Sequence, residues 1–117
     1  MAAQSSDPHQ FSASVSFDAI DAYKKGLDLH NANKLPEAIV QYEKAISLHK
    51  TFGEAINHKG IALLSMNKCV EAIAVFDRAT QLNPKDAIAY NFRGVCLHNL
   101  KRGEEAIASY NKGFKFI

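Results

Sequence analysis

GEAINHKGIALLSMNKCVEAIAVFDRATQLNPKD, residues 53–86, reads as one unit: two short amphipathic helices, a turn between them and a proline near the end. Its key residues are Gly60, Leu63, Ala72, Ile73, Phe76, Ala79 and Pro84. The pattern stands upstream as Gly26, Leu29, Ala38, Ile39, Tyr42 and Ala45, and downstream as Gly94, Leu97, Ala106, Ile107, Tyr110 and Gly113. Each copy is displaced from the next by 34 residues. Gly26, Gly60 and Gly94 lie inside helical patterns, where glycine costs about 1 kcal/mol relative to alanine. A cost repeated in all three copies needs a repeated compensation. Close approach of a second helix supplies it: Ala38, Ala72 and Ala106 are the small residues opposite, and Tyr42, Phe76 and Tyr110 fill the space beside the contact.

A period of about 34 with this small and aromatic pattern resembles the tetratricopeptide repeat family. The resemblance covers residues 19–117, as repeats near 19–52, 53–86 and 87–117. It implies an all-α, right-handed solenoid of three helix-turn-helix repeats. These columns speak for fold, and function has to be argued from a site.

The 117 residues suffice for one small domain. Hydrophobic residues make up 47% and charged residues 22%, as in ordinary globular proteins. A net charge of +2, with Lys and Arg spread over the repeats, argues against a nucleic-acid surface. No apolar run approaches the ~18 residues that span a membrane. The start, MAAQSSDPHQ, lacks the basic and apolar regions of a secretory signal. Cys69 and Cys96 have no framework spacing and read as reduced thiols in a cytoplasmic protein.

Residues 1–17 read as a flexible tail, rich in Ser, Ala and Gln, with Ser16 as a helix start. Helices are expected near 17–31, 36–48, 54–66, 70–82, 87–99 and 104–116, with Asn83-Pro84 stopping the fourth. Glu37, Glu71 and Glu105, each three residues after Lys34, Lys68 or Arg102, place a negative charge in the first turn of each second helix.

In the tetratricopeptide family the first helix of each repeat lines a concave groove. By that resemblance the inward positions are Tyr23, Leu27 and His30 in repeat one. Repeat two supplies Asn57, His58, Ile61 and Leu64, and repeat three supplies Asn91, Phe92, Val95 and His98. Asn and His there can hydrogen-bond a peptide backbone without requiring one side chain. Family members that hold acidic heat-shock chaperone tails use Lys, Asn and Arg as a two-carboxylate clamp. The matching positions here are Tyr23, Leu27, His58, Ile88 and Phe92, which cannot form it. Lys25, Lys59 and Arg93 form a basic column off the groove line, with stems expected to cover apolar surface.

No motif of catalysis is present, and neither a cofactor nor a metal site is expected: His30 and His98 share a column two repeats apart, too far for one ion. Cys96 and His98 point to different faces of one helix. The function read from the chain is a protein-interaction module that binds a peptide or partner helix in its concave groove. The alternatives are a self-associating scaffold and the targeting segment of a larger enzyme. The last helix carries Ile107, Tyr110, Phe114, Phe116 and Ile117, more apolar surface than a solvated helix shows. Either the natural chain continues past residue 117 or a second copy covers this end, with Tyr110, Phe114, Phe116 and Ile117 as the self-association surface.

Overall fold

A computed structural model describes residues 15–117. Of the flexible tail expected over residues 1–17, residues 1–14 lie outside the described residues, while Ser16 caps α1 and Phe17 already belongs to it. The described chain is six helices: α1 (Phe17–Asn31), α2 (Leu35–Leu48), α3 (Gly53–Ser65), α4 (Cys69–Leu82), α5 (Ala87–Asn99) and α6 (Gly103–Lys115). These bounds lie within about one residue of those read from the pattern.

Local chemistry sets the helix ends. Ser16 caps α1 by accepting the Ala19 N–H at 3.1 Å. Asp86 caps α5 by accepting the Ala89 N–H at 3.1 Å. Each first helix of a repeat ends in a left-handed residue, Asn33, Asn67 or Lys101, with φ of 60°, 61° and 62°. The next N–H then reaches back to the carbonyl of Leu29, Leu63 or Leu97 at 2.8–2.9 Å, which satisfies a carbonyl left open at the helix end. Asparagine tolerates that conformation; Lys101 adopts it although Gly103 stands two residues on, already inside α6.

Within each repeat the two helices pack antiparallel, and the close approach is of a definite kind. A Cβ placed on Gly26, Gly60 or Gly94 would lie 2.5, 2.6 or 2.7 Å from the ring of Tyr42, Phe76 or Tyr110. The glycine is thus the floor on which the aromatic ring of the second helix rests. Ala38, Ala72 and Ala106 are buried beside it. Tyr42 and Phe76 are fully enclosed, because the first helix of the next repeat covers them.

The first helices touch one another, α1 to α3 and α3 to α5, whereas the second helices do not. The stack therefore curves, with α1, α3 and α5 on its inner, concave wall and α2, α4 and α6 splayed on its outer, convex wall.

Candidate functional site

The concave wall is built from equivalent positions on α1, α3 and α5. Leu27, Ile61 and Val95 form its apolar floor, all half-buried. His30, Leu64 and His98 follow one turn later; His98 is exposed and the other two are half-buried. His58 and Phe92, also half-buried, precede that floor by one turn.

Repeats one and two meet in a hydrogen-bonded aromatic cluster. The Tyr23 ring lies 5.1 Å from that of Phe52 and 5.5 Å from that of His58. The Tyr23 hydroxyl is 3.3 Å from His58 Nδ1. The same Nδ1 is 2.9 Å from the Glu54 carbonyl oxygen, which can only accept, so Nδ1 carries the proton. In that tautomer Nε2 is an acceptor, and it has no partner among the described residues. His30 Nδ1 and the Tyr42 hydroxyl are joined at 3.2 Å.

Burial dominates the electrostatics of this cluster. It pushes the Tyr42 hydroxyl up to about 12, with Tyr23 adding to the rise. It also raises Tyr23, helped by the Glu54 carboxylate. His30 is held below the usual imidazole value, first by burial and then by the nearby His58. His30 thus favours its neutral form, suited to hydrogen bonding rather than to charge pairing.

Repeats two and three meet through the same columns with different chemistry. Phe76 and Phe92 stack at 6.1 Å and 17°. Leu64 stands where His30 stood. Asn57 stands in the Tyr23 column and donates from Nδ2 to Asp86 Oδ2 at 2.8 Å.

The structure does not bring every expected groove residue to the concave surface. Asn57 is buried, 7% exposed, and its donor is committed to Asp86, so it serves the junction between repeats. Asn91 turns toward α6, where its side chain fills the space over Gly113. Asn91 sits opposite Gly113 of the second helix, and the missing side chain there admits its amide. The basic column also differs from its expected role. Lys59 pairs with Glu43 at 3.3 Å and Arg93 with Asp77 at 2.6 Å, each linking a first helix to the preceding second helix. Lys25, on the first of the described helices, pairs with Asp21 on its own helix at 3.2 Å. The acid 16 residues before each of Lys59 and Arg93 was the available signal.

Of the expected self-association residues, Phe114 and Ile117 are 77% and 83% exposed and Tyr110 is 36% exposed. Phe116 instead folds back, its ring 6.2 Å from that of Tyr90. Cys96 is enclosed; burial and then the adjacent Cys69 push its thiol to about 12, far from a reactive thiolate. No three His, Cys, Asp or Glu side chains converge as a metal cage among the described residues. No described helix is long and apolar enough to cross a membrane.

Residues 58–113 match the family model described as Tetratricopeptide repeat. No curated protein matches the chain in sequence. Among solved structures, the chain is similar to the first TPR of Spaghetti (RPAP3) bound to the HSP90 peptide SRMEEVD. Identity there is 24% and the TM-score 0.82, over 85% of this chain and 79% of that one. It is similar to the Sgt2 TPR domain from Aspergillus fumigatus, with 17% identity and a TM-score of 0.85, over 88% of this chain and 68% of that one. It is also similar to the Arabidopsis OM64 TPR domain, with 21% identity and a TM-score of 0.82, over 85% of this chain and 82% of that one.

Proposed function

We propose, for a chain that belongs to the tetratricopeptide repeat family, that its concave wall docks an extended peptide or partner helix and performs no chemistry on it. The observation that carries this reading is the make-up of the wall. Half-buried Leu27, Ile61, Leu64, Phe92 and Val95 offer apolar contact, and the free acceptor nitrogen of His58 can take a peptide N–H. A solved neighbour of the same fold holds a peptide, SRMEEVD. In this chain the positions a carboxylate clamp would use are Tyr23, Leu27, His58, Ile88 and Phe92, so the ligand is selected by apolar fit and backbone hydrogen bonds rather than by a terminal carboxylate.

A test starts from peptides selected by display on the full chain, with affinity read by calorimetry. His58→Ala with Phe92→Ala is expected to weaken a selected peptide tenfold or more, and Glu43→Ala with Lys44→Ala to leave it unchanged. SRMEEVD itself is expected to bind no tighter than millimolar. The reverse ranking of the two pairs, or low-micromolar binding of SRMEEVD, contradicts the reading.

A second reading, self-association through α6, is favoured by the exposure of Ile107, Phe114 and Ile117 at 61%, 77% and 83%. Copies would meet tail to tail, because the head of the stack is closed by charge. Asp21 and Asp28 of α1 stand where α3 has Ala55 and Ala62 and α5 has Ala89 and Cys96, all 0% exposed. Stacking α1 onto α6 would bury two carboxylates. Light scattering across a concentration series is the check, with association expected for the native chain and lost in Phe114→Glu. A strict monomer at high concentration rules this reading out.

A further inference from the structure

The splay of the second helices opens troughs on the outer wall, and two of them are the same place one repeat apart. The first, about 510 Å³, is lined by Glu43, Ile46, Lys50, Ile56, Val75 and Arg78 among others, between α2 and α4 over α3. The second, about 340 Å³, lies between α4 and α6 over α5 and holds Asp77, Thr80, Tyr90, Ser109 and Lys112. Every residue lining the second lies 34 residues after one that lines the first, and Ser47 and Lys50 of the first have no counterpart in the second.

Their occupants differ. In the second trough the molecule fills its own space. Tyr90 takes the place of Ile56 and hydrogen-bonds the Pro84 carbonyl at 3.0 Å. Lys112 lies over its ring at 5.6 Å, and the Ser109 hydroxyl donates to the Tyr90 carbonyl at 2.7 Å. In the first trough no described residue forms such a plug. Ile46, Ile56 and Val75 line an apolar floor. Lys50 and Arg78 stand exposed at its edge with no carboxylate in ion-pair range among the described residues. Glu43, the one acidic side chain among the described residues that line it, is engaged by Lys59 at 3.3 Å. The trough continues past that ion pair into a cavity of about 470 Å³, which shares Glu43, Lys59, Ala74 and Val75 and reaches Pro36 and Met66.

We infer that this outer trough between α2 and α4 is a second docking site, which takes an acidic peptide segment carrying an apolar anchor residue. The anchor enters the floor of Ile46, Ile56 and Val75, and the flanking carboxylates pair with Lys50 and Arg78. A linear segment fits better than a lipid chain, because the trough is open along its length and charged side chains interrupt it. This inference does not depend on the concave wall, which lies on the opposite face.

Amide-shift titration of the full chain tests it, with the capped peptide EDLFDE as probe and KRLFRK, EDSGDE and dodecanoate as comparators. EDLFDE is expected to give saturable shifts at Ile46, Ala74 and Val75, with KRLFRK and EDSGDE inert. Lys50→Glu with Arg78→Glu should weaken EDLFDE at least tenfold. So should Ala74→Phe, which fills the trough from an exposed position and leaves every charge in place. Four results would each overturn the inference: no saturable shift at those amides up to millimolar peptide, shifts confined to first-helix amides such as Leu27 and Phe92, equal binding of KRLFRK, or saturation by dodecanoate alone.

Discussion

The junction between repeats one and two and the junction between repeats two and three are the same geometry made from different side chains. In the first, Tyr42 and His58 face each other with ring centroids 5.9 Å apart, and in the second Phe76 and Phe92 stack at 6.1 Å. Around them Tyr23 is replaced by Asn57, His30 by Leu64 and Phe52 by Asp86. Each junction carries one ion pair at its outer side, Lys59–Glu43 or Arg93–Asp77; within these columns the first carries Tyr–His hydrogen bonds and the second the Asn57–Asp86 bond beside the α5 cap. The repeat fixes the backbone geometry at these columns, and each junction is free in the volume and polar chemistry of the side chains that fill it. The consequence is a concave wall with Tyr–His hydrogen bonds at its first junction and an apolar ring stack at its second.

The largest effect that probes this comparison is at the shared glycine floor. Gly60→Leu drives a side chain into Phe76, which is fully buried and has nowhere to go. A loss of about 3 kcal/mol, on the order of 10 °C in Tm, is expected. At Gly94 the ring above is Tyr110, 36% exposed and able to swing outward. Gly94→Leu should therefore cost about 1 kcal/mol, within the lower range for overpacking. Equal melting temperatures for the two variants would show that cover by the next repeat does not hold the ring down.

A smaller effect separates the polar content of the junctions. Asp86 both caps α5 and accepts from Asn57. Asp86→Ala should cost about 1–2 kcal/mol, as lost caps do. Phe52→Asp with Tyr23→Asn would copy the second junction into the first, and it should melt above either single variant if the two junctions are interchangeable units. Additive losses in a denaturant series would show that they are not.

The smallest effect is in pH. The folded-state pKa of His30 lies below its unfolded value. Its contribution to stability is therefore present above about pH 6.5, the unfolded imidazole value, and is lost as pH falls through the lower folded value. His30→Leu copies the second junction and should flatten the fall in Tm between pH 7 and pH 5. An unchanged slope would place the acid sensitivity elsewhere.

The glycine, alanine and aromatic columns were legible in the sequence because their cost inside a helix demands a partner, and the repeat shows that demand three times. Asn57 and Asn91 were not legible as junction residues. Helical spacing places them on the inner half of their helices, but only the small residue opposite, Gly113 for Asn91, draws the side chain off the wall. The pairing of Lys59 and Arg93 with the preceding second helix follows from packing across repeats, which pattern within one helix does not encode. The outer trough depends on how far α2 and α4 splay, a property of curvature rather than of any residue.

The proposed ligand lies along α1, α3 and α5. Amide-shift mapping with a display-selected peptide tests it most directly. The largest shifts are expected at Leu27, His58, Ile61, Phe92 and Val95, with polar groups of the peptide toward His58 and apolar ones toward Phe92. Shifts confined to α2 and α4, with those five amides unmoved, would contradict it.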